Sequence, residues 1–300
     1  MKAWFWILGW SLSILTTTGN GFIIFLVCNK RQLRTKTNAF IVSLAVADFC
    51  VGMSAVPSRF ACEALDMCND PFISRTVWIS RNLFAFASVT NLCSLVLDRY
   101  IAVTKPLQYL TFMKRRRVIL MVSLSWAIPI ALIASFGIEL FVAQSFVDIL
   151  ICILMIFELL PSMMLIFCFV SMLKVVFKHN RAARSLAKQL RFNHRVFVQT
   201  QEKSAIIMMG IVIGLFLVCY GLYFRCSFLL VFKGRHECYD IEYKILVLML
   251  NCAVNPLAYS FLKRDIKKEI KGLLCCSSVT ESSSVHPLHQ SSFPLAAVRN

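Results

Sequence analysis

The sequence predicts an all-α fold, a bundle of seven membrane-spanning helices with a short amphipathic membrane-surface helix after the seventh. Three observations lead there. The chain is 58% hydrophobic and only 16% charged over 300 residues, with mean hydropathy +0.71, whereas a soluble domain carries about 25% charged residues. Seven apolar stretches each reach the roughly 20 residues a helix needs to cross a bilayer. The basic residues behind the net charge of +17 gather in alternate gaps between those stretches. That pattern fits the cytoplasmic loops of a membrane protein better than a nucleic-acid binder.

The elements follow in order. Ala3–Cys28 is uncharged and reads as a first spanning helix, not as a cleaved signal peptide, because no small-x-small site interrupts it. Asn38–Cys62 is the second and carries Asp48; Thr76–Val103 is the third and carries Arg81, Asp98 and Arg99. Val118–Ile138, uncharged, is the fourth. Phe146–Phe177 is the fifth, with Asp148, Glu158 and Lys174; Ala205–Phe232 is the sixth, with Arg225; Lys244–Leu262 is the seventh. Lys263–Leu274 then sets Ile266, Ile270, Leu273 and Leu274 at helical spacing among lysines, as in a helix lying on a leaflet. Residues 1–274 make one domain. Residues 275–300, rich in Ser and containing Pro, are expected to form a disordered tail. Cys275 and Cys276 are either free surface thiols or palmitoylation sites, and the adjacent surface helix favours palmitoylation.

Charge sets the topology. The first gap holds Lys30, Arg31, Arg34 and Lys36; the third, Lys105 and Lys114 to Arg117; the fifth, seven basic residues from Lys178 to Lys203. After the seventh stretch come Lys263, Arg264, Lys267, Lys268 and Lys271, while the other gaps are mixed in sign. The positive-inside rule puts the carboxyl terminus in the cytoplasm and the amino terminus outside. No internal repeat marks an inverted-repeat transporter. The 13 Cys lie mostly inside apolar runs, without the paired CxxC of a zinc site. No N-x-S/T sequon is present, and no H-E-x-x-H or Ser–His–Asp set suggests an enzyme.

Polar groups at membrane depth are costly, about 2.5–3.5 kcal/mol for a charge at a helix centre, so function is sought there. Each stretch has its own marker: Gly19-Asn20; Leu44-Ala45-Val46-Ala47-Asp48; Asp98-Arg99-Tyr100 with Pro106-Leu107 beyond; Trp126; Pro161; Phe216 with Cys219; and Asn255-Pro256-Leu257-Ala258-Tyr259. Singly several are weak. Together, in this order and over nearly the whole chain, they resemble the rhodopsin-like (class A) G-protein-coupled receptor family.

The resemblance implies a receptor in the plasma membrane that turns binding of an extracellular ligand into activation of a heterotrimeric G protein. Arg99, permanently charged, would be held by Asp98 and, through the family's tie between the third and sixth helices, by Glu202. The alternative for Glu202 is a solvated loop charge. Release of that tie would let the sixth helix swing outward. Tyr100, Leu107, Phe216, Asn255, Pro256 and Tyr259 match the family's other coupling and switch positions, Leu107 as the apolar knob that meets the G protein. Asp48, Ser88, Asn251 and Asn255 match the family's oxygen set for an allosteric sodium ion, the only cofactor expected; a hydrogen-bonded core without an ion is the alternative. The serine-rich tail would attract a receptor kinase and then arrestin. Membrane lipid is the remaining partner, and nucleic acid is not one.

Departures narrow the ligand. Ser74 stands where the family has the Cys of its outer disulfide, and the short gap Glu139–Ser145 has no Cys, leaving Cys62, Cys68 and Cys238 free to pair otherwise. Tyr220 replaces the family's Trp, Leu222 its kinking Pro, and Phe169 its usual Tyr. Arg81 lies 18 residues before Arg99 and so shares its helix face with Ser88 and Leu95. It occupies the place where amine receptors of the family have Asp, and Met249 stands where opsins have their Schiff-base Lys. A monoamine and retinal are therefore disfavoured. Arg81, Tyr220, Tyr223 and Phe224 would line a cavity for an anionic or lipid-like ligand. Pairing of Arg81 with Glu158 or Asp148 is the competing expectation. A transporter or channel, or a receptor-like protein without signalling, remains the alternative function.

Overall fold

A computed structural model describes residues 3–138, 159–178, 209–221 and 241–282, with 157, 181 and 207 besides. The first helix is α1, Ala3–Asn29. A single 3-10 turn, Arg31–Leu33, leads into α2, Lys36–Ala64. Then come α3, Pro71–Thr104; α4, Pro106–Phe112; and α5, Arg115–Ile138. The apolar helices α6, Leu159–Lys178, and α7, Met209–Gly221, fall inside the expected fifth and sixth stretches. Last are α8, Ile241–Leu262, and α9, Arg264–Ser282. Six of these are long and apolar enough to cross a membrane, α7 is a shorter apolar helix, and the described residues include no strand.

Three boundaries differ from expectation for local reasons. α3 begins at Pro71, not Thr76, because Asp70 caps it: its carboxylate accepts from Phe72 N at 2.8 Å and Ile73 N at 3.1 Å, and Pro71 supplies a preset φ at the first turn. α4 is an additional helix, also opened by a proline. α9 runs past the expected Leu274 boundary, so Cys275 and Cys276 lie in helix and not at the head of an irregular tail. At the α2–α3 turn, Cys62 and Cys68 are disulfide-bonded with Cα atoms 5.0 Å apart. Cys238 lies outside the described residues.

α2 packs against α1, α3 and α8, while α3 also carries α5. Small residues allow the close approaches. A Cβ on Gly52 of α2 would sit 2.6 Å from Thr17 Oγ1 of α1, and one on Gly19 would sit 2.9 Å from Pro256 Cγ of α8. Ser13 Oγ donates to Gly52 O at 2.6 Å across the first of these seams, as expected where helices associate in lipid by close packing and interhelical hydrogen bonds. Trp126 Nε1 donates to Ser43 Oγ at 3.0 Å, and Ser43 Oγ donates to Asn91 Oδ1 at 2.6 Å, which ties α5, α2 and α3 together.

The apolar core has two parts. One, toward the end that carries α4 and α9, includes Leu44, Leu92, Leu95, Phe216, Tyr259 and Ile266. The other, toward the opposite end, includes Phe5, Val51, Val56, Leu246 and Met249. Trp4, Trp6 and Trp10 pack against it, Trp4 beside Tyr243 and the other two beside Phe60, the aromatic composition favoured at a membrane–water interface. Large apolar side chains such as Ile7, Phe25, Ile119 and Phe167 cover the outside, where lipid is their solvent.

Candidate functional site

A buried polar layer separates the two apolar cores. Asp48 of α2 is wholly buried. Ser88 Oγ of α3 donates to its Oδ1 at 2.6 Å, and Asn255 Nδ2 of α8 donates to its Oδ2 at 2.7 Å. Three helices thus converge on one carboxylate. Cys252 Sγ lies 4.0 Å from Ser88 Oγ. Asn251 Oδ1, Asn255 Oδ1, Tyr259 OH and Asn20 Oδ1 are buried without a hydrogen-bond partner among the described residues. Leaving such a group unpaired costs about 1–3 kcal/mol. Acceptor oxygens that lack donors beside a carboxylate suit a hard monovalent cation. Of the residues expected to hold sodium, the structure brings Asp48, Ser88 and Asn255 into hydrogen-bond contact, with Asn251 one turn before Asn255 on α8. The Pro256 ring that follows packs on Gly19.

The second polar group lies at the α4/α9 end. Asp98 is fully buried. It accepts from Arg99 Nε at 3.0 Å and from Arg99 Nη2 at 2.6 Å. It also accepts from Thr37 Oγ1 at 3.2 Å and from Tyr109 OH at 2.9 Å. Arg99 Nη2 donates in addition to Thr37 Oγ1. Burial first, and then the negative charge of Asp98, raise the Tyr109 phenol above its ordinary pKa. The arginine is therefore turned back onto its own helix and α2. Thr37 and Tyr109 are site residues that sequence reasoning missed; they are 61 and 11 residues from Asp98 along the chain, and neither belongs to a motif. The ring of Tyr100 lies 6.1 Å from that of Phe167 on α6. Leu107 on α4 is 87% exposed.

A third cluster, also unread in the sequence, joins α8 to α9. Lys263 Nζ donates to Asn38 Oδ1 and lies 3.6 Å from Asp265 Oδ2. Asn38 Nδ2 donates to Leu33 O at 2.6 Å, with Asp265 Oδ2 at 3.5 Å. Burial lowers the Lys263 ammonium from its usual range to about 8, against the opposing pull of Asp265. Lys30 Nζ pairs with Glu269 Oε2 at 3.7 Å one turn further along α9.

Of the expected cavity residues, Arg81 is partly buried on α3 and engaged within the protein. Ser88 and Leu95, on the same face, are buried. Tyr220 stacks on the fully buried Phe216 with ring centroids 4.2 Å apart. It is thereby joined to one of the expected switch residues. Glu202, Tyr223, Phe224, Arg225, Glu158 and Asp148 lie outside the described residues, and the side chains of Cys275 and Cys276 are likewise not described.

Comparison with known proteins agrees with this arrangement. The sequence pattern of the family described as 7 transmembrane receptor (rhodopsin family) matches residues 19–259. The chain is 28% identical to the Histamine H2 receptor of Cavia porcellus over 91% of its own length and 79% of that protein's. It is also 28% identical to Trace amine-associated receptor 9 of Mus musculus, over 86% of this chain and 81% of that one. It is 36% identical to the Probable G-protein coupled receptor No9 of Amphibalanus amphitrite, where the match spans 39% of this chain and 25% of that protein. In structure it is similar to squid rhodopsin, with a TM-score of 0.74 at 18% identity, over 94% of this chain and 91% of the other.

Proposed function

The chain belongs to the rhodopsin family of seven-transmembrane receptors, and we propose that it couples an extracellular ligand to a G protein by releasing Arg99 from Asp98. Membership makes it a class A G-protein-coupled receptor of the plasma membrane, a multi-pass signalling protein and not an enzyme. The observation that carries the mechanism is the buried Asp98 carboxylate, which takes up Arg99, Thr37 and Tyr109 together. Release of Arg99 toward the bundle axis would accompany outward movement of the sixth helix, of which α7 is part. G protein would then meet the exposed Leu107. The basic gaps support a cytoplasmic α4/α9 end and an extracellular amino terminus. A receptor kinase and arrestin acting on the serine-rich tail complete the reading.

Sodium belongs to the resting state in this scheme. Asp48, Ser88, Asn251 and Asn255 would hold it, its charge compensating the carboxylate between the apolar cores. By linkage, an ion that favours rest opposes activation. Basal nucleotide exchange on a G protein, measured without ligand, should fall several-fold when choline is replaced by sodium. Asp48→Asn should remove the difference. An equal response to sodium in both proteins would sink the site.

For the ligand, we propose an anionic or strongly hydrogen-bond-accepting molecule with an apolar body. Its support is Arg81, a permanent cation on α3 where amine receptors of the family have Asp, with the aromatic residues Tyr220, Tyr223 and Phe224 in the sixth apolar stretch of the sequence. The relatives named for histamine and trace amines favour a second reading, an amine, which Arg81 would repel. A second-messenger screen of carboxylates, lipid acids and amines separates the two. With any agonist found, Arg81→Ala should lose most affinity and Arg81→Lys only part. Full affinity in both variants at normal surface levels would remove Arg81 from the site.

A further inference from the structure

We propose that one flank of α9, formed by Arg264, Lys267, Lys268 and Lys271, is a docking surface for a polyphosphoinositide headgroup of the inner leaflet. The proposal rests on the cytoplasmic placement of α9 given above.

The roll of the helix about its axis is fixed by two independent sets of contacts. Ile266 is fully buried in the bundle core and Ile270 packs against it, so the first two turns of the apolar face are committed to the protein, while Leu273 further along is exposed. Asp265 and Glu269 are both engaged on the side of the α1–α2 connection, Asp265 with Lys263 and Asn38, Glu269 with Lys30. At about 100° per residue, Arg264, Lys267, Lys268 and Lys271 fall within about 100° of arc on the remaining side. All four are exposed. The two acidic residues lie on the adjoining flank, Asp265 about 60° from Lys268, and are engaged by Lys263 and Lys30.

This leaves a stripe of four cations about 10 Å long, without an ion-pair partner among the described residues, at the foot of a spanning helix. A cluster of this size at that place is what draws anionic lipid. A headgroup with one negative charge would satisfy a single lysine. One inositol ring with several phosphates matches the density of the stripe and can accept from Arg264 and the lysines at once. Capture by a protein groove that swallows an amphipathic helix is disfavoured, because that mode requires the apolar anchors and Ile266 is spent inside the bundle.

The test uses the full chain, purified in detergent and titrated with phosphatidylinositol bisphosphate or with phosphatidylserine at matched total charge. Bound lipid is counted by native mass spectrometry. The bisphosphate should bind at least about ten-fold more tightly than the serine lipid, and Lys267→Gln with Lys271→Gln should weaken it by about ten-fold or more. A control pair, Arg115→Gln with Arg116→Gln, should leave binding unchanged. Thermal unfolding of each variant at the parent temperature establishes that the pairs are folded; if the α9 pair unfolds early, Lys268→Gln alone replaces it, with a several-fold loss expected. Equal binding of the two lipids, or equal loss in the control pair, overturns the proposal in favour of diffuse attraction. Calcium-loaded calmodulin bound through the same four residues, without lipid selectivity, overturns it too. Binding in detergent does not depend on topology, which antibody access to tagged termini in intact cells tests separately.

Discussion

A single methyl group at Gly52 is expected to lower the unfolding temperature of the receptor sharply, and Gly52→Val to keep it from the cell surface altogether. The Cβ of an alanine would meet Thr17 Oγ1 at 2.6 Å, the Thr17 backbone N at 3.2 Å and the Ser13 carbonyl at 3.3 Å. A hydroxyl can rotate away; the backbone of α1 cannot do so without moving the helix. Forcing extra carbon into such a seam costs about 1–3 kcal/mol. Separation of the helices also strains the Ser13 Oγ bond to Gly52 O, worth about 1 kcal/mol. Those sums are a large part of the roughly 5–15 kcal/mol that holds a folded domain together. Valine adds two more carbons in the same space. The buried thiols Cys168, Cys219 and Cys252 provide the readout, because a thiol-reactive dye reaches them only when the bundle opens. Gly272→Ala is the matched control: its Cβ meets nothing within 4 Å, and alanine should stabilise α9 slightly. Equal unfolding temperatures for Gly52→Ala and the parent would mean that α1 and α2 do not meet as described.

Hydropathy reads spanning helices well because each satisfies its own backbone hydrogen bonds within the segment. That is why α1, α2, α5 and α8 lie close to their expected limits. The start of α3 was missed for the complementary reason: Asp70-Pro71 is a capping signal, and a count of apolar residues passes over it. Asp48, Ser88 and Asn255 could be grouped from motif positions, and the structure brings them within hydrogen-bond distance. The partners of Asp98 could not. Thr37 is an ordinary threonine near the start of α2, and Tyr109 sits in a seven-residue helix too short to register. Lys263 likewise reads as one lysine among several. Only the corner between α8 and α9, folded onto Asn38, buries it. Long-range polar contacts of this kind leave no periodicity in the sequence, whereas the faces they join do.

Asp98→Asn is expected to raise ligand-independent signalling more than any other single change at the α4/α9 end. The substitution keeps the shape of the side chain and removes its charge. Arg99 then meets at best a neutral amide oxygen where it now meets a carboxylate at 2.6 Å and 3.0 Å, and a guanidinium cannot be neutralised in compensation. Charge-assisted bonds of this kind contribute about 1.5–3 kcal/mol. Taking about 2 kcal/mol from the resting state multiplies the active-to-resting ratio about thirty-fold. A receptor resting at about 1% active would then be about one quarter active without ligand. Thr37→Val and Tyr109→Phe each remove a bond to the same carboxylate but leave its charge. They should raise basal activity only a few-fold, at about 1 kcal/mol each. The measurement is nucleotide exchange on purified G protein, normalised to receptor number. The order Asp98→Asn above Tyr109→Phe and Thr37→Val is the signature of a restraint centred on the carboxylate. Adding Arg99→Ala to Asp98→Asn should silence the variant again, since the freed arginine is what engages the activated state. Parent-level activity in Asp98→Asn, with all proteins equally folded, would place the restraint elsewhere, with Glu202 the next residue to test.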